Sequence, residues 1–208
     1  MALKIAINGF GRIGRSVLRS VLEYDHHDVD IVAINDLADN ATMVHLLKFD
    51  SVHGRLNDTV ELVDGGININ GNFIRVTSER DPAALPWGDV DVAMECTGHF
   101  TSQEAAEKIL ASGAKKVLIS APGKGVEKTI VYGVNHDILV ASDTVVSNGS
   151  CTTNCLAPIA KVLNELCGIQ SGYMTTIHAY TGDQSLHDSE HSDLYRARAG
   201  ALSMIPTS

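Results

Sequence analysis

Short apolar runs alternate with amphipathic segments along the first 120 residues. Short runs rich in apolar residues, typical of buried strands, lie at 3–7, 30–35, 90–98 and 115–120. Segments with the apolar spacing of helices lie at 15–24, 41–49 and 102–113. This alternation predicts an α/β fold with a doubly wound parallel sheet, because parallel strands need helical crossovers. Ligands of such sheets bind beyond the carboxyl ends of the strands.

The pattern changes in the middle of the chain and again in its last third. Stretches 59–63, 66–70 and 73–77 are separated by the turn sequences Asp64-Gly65-Gly66 and Asn70-Gly71-Asn72, which predicts an antiparallel excursion. Two further strands are predicted at 129–134 and 144–148, and a helix begins near residue 151. Residues 175–181 are strand-like.

Composition narrows the class of protein. Apolar residues make up 44% of the chain and charged residues 20%, as in ordinary globular proteins. A net charge of −9 argues against nucleic acid or an anionic membrane as a partner. We expect no signal peptide and no membrane span, because the chain starts without a basic segment and its apolar runs are short. Four irregularly spaced cysteines do not form a disulfide framework, which favours a reduced, cytoplasmic compartment.

The sequence GFGRIG at 9–14 follows the first predicted strand and opens the first helix. In this context Gly9 permits a tight turn, Gly11 lets the backbone approach a pyrophosphate, and Gly14 allows close helix–strand packing. Asp36 follows Gly14 by 22 positions, at the end of the second strand, where a carboxylate accepts from ribose hydroxyls and repels a 2′-phosphate. The motif therefore predicts NAD rather than NADP, against the alternative of a structural turn and a solvated aspartate.

The sequence NGSCTTNC at 148–155 places Cys151 at the predicted start of a helix, where the helix dipole favours a thiolate. His178 is the candidate base, so the pair would be a nucleophile and its proton carrier. A disulfide between Cys151 and Cys155 is disfavoured, because residues four apart on a helix lie about 6 Å apart with nearly parallel side chains. Two cysteines without a second pair make a poor zinc site, and we predict no metal. Cys96 and Cys167 are predicted to be small buried side chains.

A dinucleotide domain followed by a nucleophilic thiol favours aldehyde oxidation. Addition of a thiolate to an aldehyde forms a hemithioacetal, which can pass a hydride to a nicotinamide and leave a thioester. A cysteine hydrolase would not need the nucleotide fold.

The whole chain resembles the phosphorylating glyceraldehyde-3-phosphate dehydrogenases. The motifs that carry the resemblance are INGFGRIGR (7–15), AINDL (33–37), KFDSVHGR (48–55), ECTGHF (95–100), SAPGKG (120–125), SNGSCTTNCLAP (147–158), HAYTGDQ (178–184), DLYRARA (193–199) and MIPTS (204–208). The resemblance implies a Rossmann domain followed by the beginning of an α+β catalytic domain. It also implies conversion of D-glyceraldehyde 3-phosphate, NAD and inorganic phosphate to 1,3-bisphosphoglycerate and NADH by a cytoplasmic homotetramer of glycolysis or gluconeogenesis.

Site residues follow from the resemblance position by position. Cys151 matches the nucleophile and His178 its acid/base partner. The positions that match substrate and phosphate binding are Ser150, Cys151, Thr152, Thr181 and Arg196. Besides the three glycines and Asp36, the positions that match cofactor contacts are Arg12, Ile13, Arg80, Thr97, Gly98 and Ser120. Residues roughly 182–205 resemble a loop that borders a neighbouring subunit's cofactor site.

The resemblance also sets expectations about domains and completeness. We expect an NAD-binding domain at 1–150 and the first part of the catalytic domain at 151–208. Gly149 stands where the family usually has alanine, and Ser189-Glu190 stands where many NAD-specific members have Leu-Pro. The sequence stops at Ser208 while the family pattern continues, so we expect a truncated chain that alone binds NAD weakly and oxidises aldehyde poorly.

Two other functions stay open at this point. Erythrose-4-phosphate dehydrogenases share the cysteine motif, although they tend to lose the threonine-rich segment that IPTS retains here. A non-catalytic, redox-sensing NAD-binding module would also explain a reactive thiol beside a nucleotide fold.

Overall fold

The computed structural model describes residues 2–24 and 26–207, so Ser208, the last residue of the predicted catalytic segment, lies outside the described residues. The chain divides into two compact units, residues 1–168 and 169–208. The domain boundary expected after residue 150 stays a prediction.

All regular elements of the described residues belong to the first unit. Its strands are β1 (Leu3–Asn8), β2 (Val29–Asn35), β3 (Phe49–Asp50), β4 (Gly54–Arg55), β5 (Val60–Val63), β6 (Gly66–Ile69), β7 (Asn72–Thr77), β8 (Val92–Glu95), β9 (Lys116–Ile119), β10 (Lys128–Thr129) and β11 (Val145–Ser147). Its α-helices are α1 (Arg12–Glu23), α2 (Asn40–Lys48), α3 (Gln103–Ala111) and α4 (Cys151–Cys167), and short 3-10 helices occupy Pro82–Ala84 and His136–Ile138.

Nine of these strands form one sheet in the order β10-β11-β9-β8-β1-β2-β7-β6-β5. Every neighbouring pair from β10 to β7 is parallel. β2 follows β1 in the sequence and pairs with one side of it, whereas β8, much later in the sequence, pairs with the other side. The predicted doubly wound sheet is therefore confirmed, with its topological switch point between β1 and β8.

Two apolar cores cover the two faces of this sheet. Alternate side chains of β1 point to opposite faces, so Ile5 and Ile7 join one core while Ala6 joins the other. Helices α1 and α2 contribute Leu18 and Leu47 to the first core, whereas α3 and the fully buried Trp87 belong to the second. Burial on both faces explains why the central strands contain uninterrupted apolar stretches, such as 5–7 and 31–34.

The antiparallel excursion is also confirmed. β5 pairs with β6, and β6 pairs with β7, in antiparallel register. The turn between β6 and β7 consists of Asn70 and Gly71, with φ angles of 52° and 92°. Positive φ at both turn residues matches the twist of the flanking strands and explains the Asn-Gly sequence.

Two predicted strands are wrong or too long. The strand predicted at 129–134 ends at Thr129, because the Asn135 side chain accepts from the Val131 N–H (2.8 Å) and closes a turn there. Ile130 and Val131 are nevertheless buried, so their apolar character reports burial rather than strand pairing. Residues 175–181 form no strand, since no described residue supplies the backbone partners that a strand requires.

Helix α4 begins where the sequence predicts, but it buries none of its residues. Leu156, Ile159 and Leu163 form part of its apolar stripe and are each more than a third exposed. Among the described residues, no helix combines the length and apolarity that crossing a membrane requires.

The Asn70-Gly71 turn yields a test of the fold. Gly71→Ala should lower the free energy of unfolding by about 1–2 kcal/mol, because alanine resists the left-handed conformation while the space around it is open. Gly88→Ala is the matched control, since its surroundings are equally open and its φ lies outside the left-handed region. Urea unfolding of both variants checks this, and an equal loss in the two would contradict the turn assignment.

Candidate functional site

The candidate cofactor residues follow the carboxyl ends of adjacent parallel strands. The glycine motif follows β1, Asp36 follows β2, Arg80 lies beyond β7, Thr97 and Gly98 lie beyond β8, and Ser120 follows β9. Backbone hydrogen bonds continue past the strand ends, from Gly9 N–H to the Asn35 carbonyl (2.8 Å) and from Ser120 N–H to the Glu95 carbonyl (3.0 Å). The structure therefore brings these segments to one edge of the sheet.

The three motif glycines meet different surroundings. A Cβ on Gly9, which has φ +90°, would lie 2.7 Å from the backbone nitrogen of Thr97. A Cβ on Gly14 would lie 2.3 Å from the carbonyl oxygen of Gly9. A Cβ on Gly11 would have no neighbour within 4 Å. Gly9 and Gly14 are thus required by packing within the protein, while Gly11 leaves open backbone for a ligand.

The start of α1 is suited to an anion. Its N-cap residue is Gly11, so no side chain caps the helix, and its first turn contains no acidic residue. In contrast, side chains of Asp39, Ser102 and Ser150 cap α2, α3 and α4. The N–H groups at the start of α1 can therefore donate to phosphate oxygens, and these residues fit a dinucleotide.

Asp36 closes this site on the β2 side. Its Oδ2 accepts from the Phe10 N–H (2.6 Å) and its Oδ1 from the Ala38 N–H (2.8 Å). Each carboxylate oxygen retains a second lone pair, with which it can accept from a ribose hydroxyl. The proximity of the acidic residue to the glycine motif, expected from their spacing, is thus present in the structure.

Arg12, a candidate cofactor contact, has a protein partner in Asp50 at the end of β3. Asp50 also accepts from the N–H groups of Val52 (2.8 Å) and His53 (2.9 Å). Burial by itself would raise the pKa of Asp50, but the hydrogen bonds from His53 and Val52 and the Arg12 guanidinium lower that pKa to about 2. The ion pair holds the start of α1 against the short β3–β4 hairpin.

A chain of buried polar side chains runs beneath the same edge. Asn8, Asn35 and Glu95 are the last residues of β1, β2 and β8, and all are nearly inaccessible to solvent. The Asn35 amide donates to Asn8 Oδ1 (2.9 Å), and the Asn8 amide donates to Glu95 Oε2 (2.7 Å). The sequence motifs did not identify these three residues, although each of them is a polar residue that ends a mostly apolar strand.

The candidate nucleophile lies at the end of another parallel strand. β11 ends at Ser147, Gly149 has a positive φ, and α4 begins at Cys151. Ser150 caps the helix by accepting from the Thr153 N–H (3.0 Å). The side chain of Cys151 is exposed at this helix start.

The remaining cysteines test the predictions made for them. None of the four forms a disulfide. Cys96 packs against the first core, and burial is the main cause that raises its pKa to about 11. The Glu95 charge adds to this rise in pKa, and a hydrogen bond with Ser120 partly offsets it. The prediction that Cys167 is buried is wrong, because it lies on the exposed last turn of α4.

The second unit contains the other candidates, His178, Thr181 and Arg196. The Arg196 guanidinium pairs with Asp183 (2.8 Å) and donates from Nε to Thr207 Oγ1 (3.0 Å). The hydrogen bond from Arg196, and next that from His191, lower the pKa of Asp183. His178 Nδ1 lies 2.6 Å from the Ala179 carbonyl oxygen. The proximity of His178 to Cys151, which belongs to the first unit, stays a prediction.

Across residues 2–24 and 26–207, no group of three or more histidine, cysteine, aspartate or glutamate side chains is arranged to hold a metal ion.

Comparisons with known proteins agree with these features. A family model described as the NAD binding domain of glyceraldehyde 3-phosphate dehydrogenase matches residues 3–103, and the model of its C-terminal domain matches 150–208. The glyceraldehyde-3-phosphate dehydrogenase of Cereibacter sphaeroides is 60% identical over the whole chain, and that of Xanthobacter flavus is 58% identical. Glyceraldehyde-3-phosphate dehydrogenase 1 of Bacillus cereus is 56% identical over 99% of the chain.

The chain belongs to the glyceraldehyde-3-phosphate dehydrogenase family. It spans 62–63% of the length of these relatives. Within that span it contains the family's NAD-binding domain, for which NAD is the cofactor.

The Asp50 contact predicts a pH dependence. Because the folded-state pKa of Asp50 is depressed from 3.8 to about 2, its contribution to stability is complete above about pH 5 and is lost as the pH falls through 3.8 towards 2. Asp50→Asn should lower the free energy of unfolding at pH 7 and flatten its decline between pH 4 and 2. Urea unfolding across this range measures the effect. Asp30→Asn, an exposed position in β2, is the control, and an acid decline unchanged by Asp50→Asn would contradict the assignment.

The thiols predict an order of alkylation. Cys96 should react with iodoacetamide far more slowly than Cys151 at pH 8, because a pKa of about 11 leaves little thiolate and its side chain is partly buried. The rate at Cys96 should keep rising as the pH approaches 11. Mass spectrometry of timed samples assigns each site, and Cys151→Ser should remove one rapid label. Equal rates at both positions would refute this prediction.

Proposed function

We propose that the protein containing this chain oxidises D-glyceraldehyde 3-phosphate, with NAD and inorganic phosphate, to 1,3-bisphosphoglycerate and NADH. The observation that carries the proposal is the common edge of the sheet. The glycine motif after β1 and Cys151 after β11 lie at carboxyl ends of strands in the parallel part of one sheet. A dinucleotide site and a thiol at the start of a helix are the two components that oxidation through a thioester needs.

NAD would be held by the segments that follow the strands. The N–H groups at the start of α1 and the open backbone at Gly11 would bind the pyrophosphate, and Asp36 would accept from the adenosine ribose. Arg12, Ile13, Arg80, Thr97, Gly98 and Ser120 complete the proposed contact set. The nearby carboxylate of Asp36 favours NAD over a cofactor with a 2′-phosphate.

Cys151 would attack the aldehyde carbon and form a hemithioacetal. The helix start stabilises the thiolate, and N–H groups of the first turn can stabilise the developing oxyanion. His178 would accept the proton from the hemithioacetal hydroxyl. The chemistry that NAD supplies when bound is acceptance of a hydride from the hemithioacetal carbon, which leaves a thioester on Cys151. Phosphate then attacks the thioester carbon, the C–S bond breaks, and the Cys151 thiolate is regenerated.

Hydroxyl and guanidinium groups would bind the two phosphates of this reaction. The proposed set is Ser150, Thr152, Thr181 and Arg196. Within the second unit, Arg196 donates to the hydroxyl of Thr207. We therefore add Thr207 to the proposed set, because its hydroxyl lies next to a guanidinium. Such groups match the geometry and charge of phosphate oxygens. We also propose, from the family resemblance, that the protein is a cytoplasmic homotetramer.

The test compares two thiols of helix α4, Cys151 and Cys155, by replacing each of them in the protein that contains this chain. Cys151→Ser should reduce phosphate-dependent NADH formation at least a thousandfold, because serine is a much weaker nucleophile, yet it should retain NAD binding. Cys155→Ser is the matched control, since Cys155 is exposed on the same helix, and it should keep most of the activity. His178→Asn should lower kcat by about 10²–10⁴.

Other outcomes point to the alternatives. A higher kcat/KM with erythrose 4-phosphate would assign the protein to that dehydrogenase activity. Absence of aldehyde oxidation in the wild-type protein, together with a partner whose binding changes on thiol oxidation, would favour a redox-sensing module.

A further inference from the structure

We propose that Asn8, Asn35 and Glu95 are positioning residues for the dinucleotide. They form one directional chain of buried hydrogen bonds that fixes the four strand ends expected to contact NAD. The proposal rests on the proposed NAD binding and adds the residues that pre-organise that site.

The hydrogen-bond chain crosses the carboxyl ends of four adjacent strands, β7, β2, β1 and β8. Asn8 lies in register with Asn35 on one side and with Glu95 on the other. At the β7 end, Asn35 Oδ1 accepts from the Glu79 N–H (2.8 Å) and the Thr77 hydroxyl (2.9 Å). The Asn35 Nδ2 group also donates to the Glu79 carbonyl (2.9 Å). These contacts join the loop beyond β7 to the centre of the sheet.

At the β8 end, Glu95 is the terminal acceptor. Its Oε1 accepts from both the N–H (2.8 Å) and the hydroxyl of Thr97, and its Oε2 accepts from Asn8. Only 1% of Glu95 is exposed. Burial of a carboxylate is costly unless its oxygens are hydrogen-bonded, and here both of them are.

The groups at the two ends of the hydrogen-bond chain determine which way each hydrogen bond points, from donor to acceptor. The N–H groups of Glu79 and Thr97 can only donate. A carboxamide accepts through its oxygen and donates through its nitrogen. Asn35 therefore accepts from Glu79 and donates to Asn8, and Asn8 accepts from Asn35 and donates to Glu95. A chain that begins and ends at donors therefore needs one member that accepts on both sides. The carboxylate of Glu95 is that member.

Four members of the hydrogen-bond chain directly precede, or are, proposed cofactor contacts, and Glu95 is hydrogen-bonded to one of them. Asn8 precedes Gly9, Asn35 precedes Asp36, Glu79 precedes Arg80, and Thr97 is itself a contact. The hydrogen bonds thus set the spacing of the glycine motif, the ribose acceptor and the loops beyond β7 and β8. Pre-organised contacts bind more tightly, because less conformational freedom is lost when the ligand arrives.

Because the hydrogen-bond chain needs one member that accepts on both sides, the carboxylate should be movable from residue 95 to residue 8. In Glu95→Gln, the NH2 group of the new amide must face either Thr97 or Asn8, and both of these residues donate to residue 95. One hydrogen bond is therefore lost, and NAD affinity should fall about tenfold. Asn8→Asp alone places two carboxylates in contact and should also weaken binding. In the double variant N8D/E95Q, residue 8 accepts from Asn35 and from the glutamine, which accepts from Thr97. Every bond is restored, so NAD affinity should return to within about threefold of the wild-type value.

The control is Glu127→Gln. Glu127 accepts from the N–H (3.2 Å) and hydroxyl (2.7 Å) of Thr144, as Glu95 does from Thr97, but it precedes β10 and therefore lies at the amino ends of the strands. Its replacement should leave NAD affinity unchanged. Calorimetric titration with NAD, at a temperature where circular dichroism shows each variant to be folded, measures affinity. Thermal unfolding without NAD measures stability separately.

The outcomes separate this inference from the proposed function. If the wild-type protein that contains this chain does not bind NAD, both are overturned. A wild-type protein that binds NAD, with a Glu95→Gln variant of equal affinity, overturns the positioning role alone, even if the variant is less stable. If Glu95→Gln does not fold, the double variant decides: affinity near wild type supports the proposal, and a folded double variant with weak binding refutes it.

Discussion

The candidate site depends on the parallel pairing of β1 with β2 on one side and with β8 on the other. Parallel strands end at the same edge of a sheet, so this pairing brings together loops that follow Asn8 and Glu95, which are 87 residues apart in the sequence. The reversal of direction at β1 places the loops beyond β1 and β8 at the topological switch point, where doubly wound sheets bind their ligands. The close approach of Gly9 to Thr97 across this switch point leaves no room for a side chain. The glycine motif is therefore a packing requirement as well as a binding feature.

Polar groups at this edge have to be satisfied in two different ways. Those below the edge are buried and hydrogen-bond to one another, as Asn8, Asn35 and Glu95 do. Those at the edge are left accessible, as at the uncapped start of α1. The first group supplies rigidity and the second supplies binding capacity, because a ligand replaces water only at the accessible positions. The second unit differs in kind, since its described residues contain no helix or strand and are held by contacts such as the Arg196–Asp183 pair.

Most elements of the first unit were predictable because local patterns coincide with tertiary burial. Residues 5–7 of β1, 31–34 of β2 and 117–119 of β9 are continuously apolar, since both faces of the sheet are covered there. Asn70-Gly71 matches the turn that its hairpin requires. Prediction failed where an apolar run did not report strand pairing. Ile130 and Val131 are buried in a turn, and the run around His178 lacks a strand partner among the described residues. Cys167 occupies a helical position that the pattern alone could not distinguish from a buried one.

By itself, the sequence determined the class of fold, the glycine motif with its distant acidic residue, and the placement of Cys151 at the start of a helix. Each of these is encoded in local spacing, where glycine, capping residues and apolar periodicity have direct physical consequences. Tertiary structure decided which side chains become partners. The ion pair of Arg12 with Asp50 depends on the position of α1 beside the β3–β4 hairpin, and the alignment of Asn8 between Asn35 and Glu95 depends on strand order and register. Strand order and register arise from the packing of the whole sheet, and no local stretch of sequence contains them.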